Sequence, residues 1–357
     1  MTENKIAIIG ASEFQVPLIE KCKELGYTTY VYAWRCGDVG EKIADFFVPI
    51  SVVEKETIYQ DIVSKGIKSC VSIGSDITQL TVNYVLRKLN IRCNKEITDV
   101  LACNKYEMRK AFRSNGILCP QFMKSFTLPT RAELESFRYP LIVKPTDRSG
   151  SRGIYKVNNY EELCECFESS KELSFEKACI IEEYIEGKEY SCETISFNGK
   201  HTILSLTEKH TTGAPHFIET GHDEPADISI DENIICRVLD SLHIEYGAGH
   251  TEFRVDDKNE LWVIETGARM GGDCIGSDLV PLSTGYDFLK MVIDTASGKE
   301  PDYTKSAHQK ESHIRFIFNE KDIEEMNNHK IIKKSIKDMD FNNSVSDSTS
   351  RHGYYIY

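Results

Sequence analysis

Lys144 stands between Val143 and Pro145 at the end of an apolar run, and Asp147-Arg-Ser-Gly-Ser-Arg-Gly153 follows it before Ile154-Tyr-Lys-Val157. A lysine alternating with apolar neighbours on a strand points to one face, where it can meet an anion in a cleft. A lysine snorkelling from a sheet edge explains Lys144 equally well by itself. Gly150 and Gly153 allow backbone N–H groups to approach an oxyanion, and Ser149, Ser151, Arg148 and Arg152 add donors. In isolation the same string reads as a surface hairpin. A second lysine, Lys105, opens a helix.

Two acidic stretches complete the set. In Ile180-Ile-Glu-Glu-Tyr-Ile-Glu-Gly-Lys-Glu189 an apolar strand runs into acids and Gly187 turns the chain. Such a connection can show backbone N–H and C=O groups to a purine edge and a carboxylate to ribose hydroxyls. It is also an ordinary glutamate-rich hairpin. Thr251-Glu252-Phe-Arg-Val-Asp and Leu261-Trp-Val-Ile-Glu265-Thr-Gly-Ala-Arg269-Met-Gly-Gly272 flank the turn Asp257-Lys-Asn-Glu260, which brings Glu252 and Glu265 to comparable ends of a hairpin. Both adjoin apolar runs, and a partly buried carboxylate is costly without a cation. Two carboxylates beside a triphosphate make a hard oxygen site suited to Mg²⁺. Two acids flanking a hairpin with no metal role is the plain alternative.

The elements that must position these groups fall into three stretches. Over the first 95 residues strand and helix signals alternate: strands at 5–9, 28–33, 45–49 and 69–73, helices at 14–25, 54–65 and 78–89. Short apolar strands with helical connections imply a parallel sheet covered on both faces, a Rossmann-like unit over residues 1–95. Gly10-Ala-Ser is a tight turn after the first strand but not GxGxxG, so it is weak evidence for a dinucleotide. Residues 96–186 are expected to form two linker helices (95–102 and 105–114), a linker marked by Pro120 and Pro129, and a small α+β lid with strands at 141–144, 153–157 and 178–182. Residues 187–357 are expected to form an antiparallel-sheet domain with strands at 189–197, 201–208, 249–255 and 261–265, helices near 231–243 and 285–296, and a loop over 341–350 before the Tyr354-Tyr-Ile-Tyr end. The fold class is therefore α/β and α+β.

The 357 residues suffice for two or three domains around sizeable cores. A formal charge of −13 argues against sequence-independent binding to nucleic acid or an anionic membrane. The 12 cysteines are scattered without a CxxC, the only close pair being Cys164-Glu-Cys166, which points to buried thiols in a reducing compartment. With no leader-like segment and no apolar run of the ~18 residues a span needs, the chain is expected to be cytoplasmic.

Taken in order, these motifs resemble the ATP-grasp carboxylate–amine ligases, in particular the L-amino-acid ligase and carbamoyl-phosphate-synthase-like branch, over roughly residues 4 to 320. The resemblance implies an ATP-grasp fold whose N-terminal Rossmann-like domain precedes a mobile lid and a catalytic domain. It implies ATP and Mg²⁺ (with Mn²⁺ as its substitute), small carboxylate and amine substrates, and a homodimer. By position, Lys105 and Lys144 are similar to the two lysines on the ATP phosphates, and Ser149, Gly150, Ser151 and Gly153 belong to the mobile phosphate-covering loop. Glu182 and the backbone at Tyr184 and Ile185 would meet adenine, and Glu189 the ribose. Glu252 and Glu265 match the paired metal ligands. Arg269 matches the arginine facing the γ-phosphate and acyl group, a catalytic role it would share with Lys144. Gly267-Ala268 replaces the Asn-Pro that often precedes that arginine, so the usual asparagine ligand is missing, as it is in amino-acid ligases of this branch. Glu208 to His222 resembles a segment lining the acceptor pocket, which implies His216, Glu219 and His222, with Arg269 and Gly272, on the substrate side. Arg315, on a strand from Ser312, reads as a core-edge arginine. The implied activity is formation of a C–N bond through an acyl phosphate with release of ADP and phosphate. The alternatives are an enzyme of the same fold acting on a purine intermediate or bicarbonate, a non-catalytic ATP-binding module, and a nicotinamide enzyme.

Overall fold

The computed structural model describes residues 4–214, 217–341 and 347–357, which form three sheets. The first holds β1 (Lys5–Ile9), β2 (Thr28–Tyr32), β3 (Phe46–Val48) and β4 (Cys70–Val71) in the order β3-β2-β1-β4, all parallel. Helices α1 (Val16–Glu24), α2 (Val39–Ile43), α3 (Lys55–Ser64) and α4 (Asp76–Lys88) connect it. Ile6, Ala7, Ile8 and Ile9 are all fully buried, as a strand covered on both faces requires. The five-residue α2 was not expected; it is too short for a periodic signal, and an Asp38–Glu41 capping box starts it.

Between the first and second sheets, Asn104 breaks one helix into two. It is extended (φ −107°, ψ 111°), ends α5 (Glu96–Cys103) and caps α6 (Lys105–Ser114) by accepting from the N–H groups of Tyr106 and Glu107. This fixes Lys105 as the first helical residue, with Arg109 one turn on along the same face.

The second sheet, in the order β5-β8-β6-β7, is antiparallel: β5 (Phe122–Ser125), β6 (Leu141–Pro145), β7 (Tyr155–Val157) and β8 (Cys179–Glu183), with α7 (Tyr160–Leu173) between β7 and β8. Leu141, Val143, Val157, Leu163, Phe167 and Ile181 make its core. β5 corrects the linker expected between Pro120 and Pro129; edge pairing to β8, a long-range contact, makes it a strand.

The third sheet has eight strands in the order β13-β12-β9-β10-β11-β14-β16-β15. They are β9 (Lys188–Phe197), β10 (Lys200–Thr211), β11 (Glu219–Glu224), β12 (Gly247–Val255), β13 (Leu261–Gly267), β14 (Ser312–Ile317), β15 (Lys333–Ile336) and β16 (Gly353–Ile356). Helices α8 (Glu232–Ser241), α9 (Val280–Thr284), α10 (Phe288–Ala296) and α11 (Glu320–Met326) accompany them. β11 corrects the reading of residues up to 222 as a segment between strands. Its sequence, ETGHDE, has no apolar alternation, yet it pairs on both sides with Gly221, His222 and Glu224 buried. β16 lies between β14 and β15 instead of trailing from the domain.

One apolar cluster joins the first sheet to the third. Ile6, Leu18, Val31 and Val71 pack in it with Ile195, Ala248, Met270 and the buried face of α10. Each such side chain contributes about 1.5–3 kcal/mol when fully buried. The N-terminus of α4 is thereby held against the turn that follows β13, with Gly272 Cα 3.5 Å from the direction a Gly74 side chain would take. Among the described residues no helix is long and apolar enough to cross a membrane.

Candidate active site

Lys144, the last residue but one of β6, reaches Glu182 of β8 at 2.7 Å. The strands pair Ile142 with Glu182 and Lys144 with Ile180, so a two-residue diagonal on one face brings the charges together. Arg109 closes the group from α6: its Nε lies 2.5 Å from Glu182 Oε1, and its Nη2 donates to Glu182 and to the carbonyl of Ile264. Arg109 is fully buried, and burial depresses the Lys144 ammonium. Burial would raise the Glu182 carboxyl, but Arg109 and Lys144 outweigh it and hold it below the usual range. Lys105 Nζ donates to the Arg148 carbonyl (2.6 Å) and to Glu265 (2.8 Å), tying α6 to the loop and to β13.

Glu252 and Glu265 are direct cross-strand partners on β12 and β13. Each is held by a lysine: Glu265 by Lys105, Glu252 by Lys209 at 2.5 Å. Lys209 also meets Glu189 at 3.2 Å, and Arg254 holds Glu189 at 2.8 Å. Burial opposes ionisation of Glu252 and Glu189, but these cations hold both carboxyls down. His250 donates between Glu193 and Glu252, and although burial disfavours its charge, Glu193 raises it to about 9. Among the described residues no cluster of three or more metal-ligating side chains forms, so Glu252 and Glu265 fit a cation only together with ligands from elsewhere, such as phosphate oxygens.

Arg269 follows β13 and is anchored by Asp76, the first residue of α4, at 2.8 Å. Gly271 donates its N–H to Glu193 Oε2 at 2.9 Å. A Cβ on Gly271 would fall within 3 Å of both the Glu193 carboxylate and His250, so only glycine lets this turn approach.

Two adjoining chambers share walls at Lys144, Ser151, Ile154, Glu219, Glu252 and Glu265. The larger adds apolar surface from Ile142, Tyr184, Ile185, Phe217 and Ile264. The smaller adds Lys105, Arg148, Ser149, Gly150, His250 and Arg269. An apolar slot opening into a cationic chamber suits a flat heterocycle bearing anionic groups. In the slot, Tyr184 N–H donates to the Pro140 carbonyl and the Ile185 carbonyl accepts from Arg254.

The loop between β6 and β7 covers the cationic chamber. Gly150, Ser151 and Gly153 all adopt left-handed backbone (φ 71°, 56° and 73°). Ser151 Oγ reaches the Phe217 carbonyl and Glu219, each at 3.5 Å. Glu219 starts β11, and burial lifts its carboxyl to about 7. His222 lies on the same strand, buried, 3.7 Å from Asp273, with neither ring nitrogen within hydrogen-bond distance of a described residue. Burial keeps its imidazole below the usual value. His216 lies outside the described residues. Arg315 pairs with Asp223 at 2.7 Å beside His313, away from both chambers.

The structure thus brings Lys105, Lys144, Ser149 to Arg152, Glu182 to Ile185, Glu189, Glu219, Glu252, Glu265 and Arg269 around one cleft, while Gly153 turns toward Leu173 and Pro145. Sequence reasoning missed Arg109, Lys209, His250, Glu193 and Asp76. Arg109 was within reach, since it follows Lys105 by four on one helix. Lys209 alternates with Thr207 along β10, but its two acids come from other strands and left no local trace.

Residues 137–278 match the family model described as the ATP-grasp domain. Alanine--anticapsin ligase of Bacillus subtilis is 26% identical over 241 residues, 59% of this chain and 50% of that protein. D-alanine--D-alanine ligase of Hydrogenovibrio crunogenus is 22% identical over 209 residues, 55% of this chain and 65% of that protein. The chain thus spans about half the length of the first relative and less than two thirds of the second. Among solved structures, L-amino acid ligase from Bacillus licheniformis superposes with a TM-score of 0.83 at 21% identity, covering 99% of this chain and 93% of that one. Phosphoribosylglycinamide synthetase from Anaerococcus prevotii superposes with a TM-score of 0.77 at 20% identity, over 99% and 93%.

Proposed function

The chain carries an ATP-grasp domain, and from that premise we propose that it is an ATP-dependent ligase joining a carboxylate, an amino acid or similar small acid, to an amine. The observation that carries the reading is the convergence of Lys105, Lys144, Glu252, Glu265 and Arg269 on one chamber under the Ser149 to Gly153 loop.

In this reading the slot takes adenine, read by the backbone at Tyr184 and Ile185 with Glu182 nearby, and Glu189 takes the ribose. Lys105 and Lys144 hold the phosphates. Mg²⁺, or Mn²⁺, would be held by Glu252 and Glu265 with phosphate oxygens, and when bound it supplies charge neutralisation for the transferring phosphoryl group. The substrate carboxylate oxygen attacks the γ-phosphorus in line, the bond to the β–γ bridging oxygen breaks, and ADP leaves. The amine nitrogen then attacks the acyl carbon, the C–O bond to phosphate breaks, and the nitrogen loses its proton to give the amide. Arg269, fixed by Asp76, offsets charge on the phosphoryl group and acyl oxygen, while the covering loop excludes water that would hydrolyse the acyl phosphate. Positioning and charge carry the rate, as phosphoryl transfer requires. Glu219, His222, Gly272 and His216 are assigned to the substrate side.

The division into residues 1–95, 96–186 and 187–357 belongs to this reading and is supported by the three sheets. So do a cytosolic location, supported by 12 unpaired cysteines, and a homodimer, which light scattering checks. The fold shared with phosphoribosylglycinamide synthetase favours, as second reading, a purine-precursor substrate. A screen of amino-acid pairs, purine precursors and bicarbonate, scored by ADP release, separates the two. With the active pair, ¹⁸O from the labelled carboxylate should appear in phosphate; turnover without transfer of label refutes the acyl phosphate.

A further inference from the structure

We propose that Arg351, in the connection from β15 to β16, is a positioning residue for the acyl-transfer end of the site; the proposal deepens, and rests on, the ligase reading. Arg351 is 4% exposed and spans strands remote in sequence. Its Nη1 and Nη2 donate to the two oxygens of Asp273 at 2.9 and 2.6 Å, and Nη1 lies 3.4 Å from the Glu219 carbonyl. The guanidinium stacks 3.6 Å from the Phe316 ring centroid, and Nε donates to the Ser348 carbonyl at 2.8 Å.

Asp273 ends the turn that begins at Arg269. Asp273 and Cys274 are consecutive left-handed residues (φ 52° and 63°), a backbone that side-chain-bearing residues hold only when their surroundings over-determine it. Asp76 on Arg269, Glu193 on the Gly271 N–H and Arg351 on Asp273 anchor the turn from outside. Arg351 also reaches from this turn to the strand of Glu219 and His222, beside the direct approach of Asp273 to His222. Engaging both Asp273 oxygens also sets where that carboxylate lies relative to the His222 ring, 3.7 Å away. The same connection touches the covering loop, where Ser348 Oγ donates to the Gly150 carbonyl at 3.4 Å. Arg351 therefore sets the place of Arg269 and of the Glu219–His222 strand without meeting the reacting atoms.

The test compares Arg351→Met, Arg351→Lys, Asp273→Asn and the Arg351→Met/Asp273→Asn double variant. Arg351→Met should lower kcat for substrate-dependent ADP release about 30-fold while the Kd for MgADP changes less than about 3-fold. Arg351→Lys should recover part of kcat. The double variant has no unpaired buried carboxylate, so its melting temperature should return toward wild type while kcat stays low. Recovery of kcat together with melting temperature, or an undiminished kcat in Arg351→Met, overturns the proposal. If wild-type protein releases ADP with no member of the panel, the ligase reading fails instead, and hydrogen exchange of the MgADP complex decides on Arg351. Amides 270–274 should then exchange about 10-fold faster in both Arg351→Met proteins; rates equal to wild type reject the positioning role.

Discussion

Arg109 and Glu182 offer a direct measure of the charge balance beneath the proposed phosphate site. The triad comprises two cations and one anion, with Arg109 Nε 2.5 Å and Lys144 Nζ 2.7 Å from the Glu182 carboxylate and all three side chains buried. At an effective dielectric near 20, unit charges centred about 4 Å apart attract by about 4 kcal/mol before desolvation is counted. Arg109→Met removes one attraction and the hydrogen bond to the Ile264 carbonyl, but it also removes repulsion between Arg109 and Lys144. The net loss should be about 2 kcal/mol, because Lys144 still compensates Glu182. Glu182→Gln removes both attractions and leaves two buried cations facing each other, which should cost about 3–5 kcal/mol. Urea denaturation of the two variants at neutral pH gives the comparison. Relieved of Arg109, Lys144 is drawn more firmly to Glu182, so MgADP should bind Arg109→Met about 10-fold more weakly by calorimetry, about 1.4 kcal/mol. A Glu182→Gln protein more stable than Arg109→Met would refute the assignment of Glu182 as the shared counter-ion.

Three further outcomes are expected. Glu265→Ala or Lys144→Ala should abolish substrate-dependent ADP release, measured by a coupled assay; undiminished turnover in both removes these residues from the mechanism. Glu224, accepting from Thr207 and Ser283, has its carboxyl raised by burial to about 8 from 4.5. A carboxyl whose folded value is raised favours the fold most below its unfolded value, and that advantage is lost as pH rises through the folded one. The native protein should therefore lose stability relative to Glu224→Gln by about 1.4 kcal/mol per pH unit between about pH 4.5 and 8, and parallel denaturation profiles would contradict this. Gly271→Ala should drive a Cβ into Glu193 and His250, lowering the melting temperature by several degrees and kcat about 10-fold or more; a silent substitution would show that the turn is free to move.

The parallel unit was legible because Ile6-Ala-Ile-Ile9 and its neighbours carry the continuous apolar runs of doubly covered strands, and the Leu141-Ile-Val143 run marked β6 in the same way. Lys144 and the covering loop were legible because they sit at the boundary between an apolar run and a polar turn, and Glu252 and Glu265 because they adjoin apolar residues on two strands of one hairpin. β5 and β11 were not, since both owe their strand conformation to partners far along the chain. Ion pairing hides in the same manner. Lys209, Glu193 and Arg351 are conspicuous only once their partners, 43, 57 and 78 residues away, have been brought beside them.

The apolar cluster shared by the first and third sheets has a mechanical consequence. Those two sheets act as one anvil, since parting them would expose the cluster to water. The second sheet has its own core and joins the rest through only two strands of chain, one leaving α6 before β5 and one passing from β8 to β9. Gly187 occupies the second crossing, its backbone so close to the Val255 carbonyl that no side chain fits. In the proposed reading, closure over nucleotide is the swing of a single jaw on a double strap. Its stiffness would then be set at residues 115–121 and 184–187, and the second strap, through Tyr184 and Ile185, also lines the nucleotide slot.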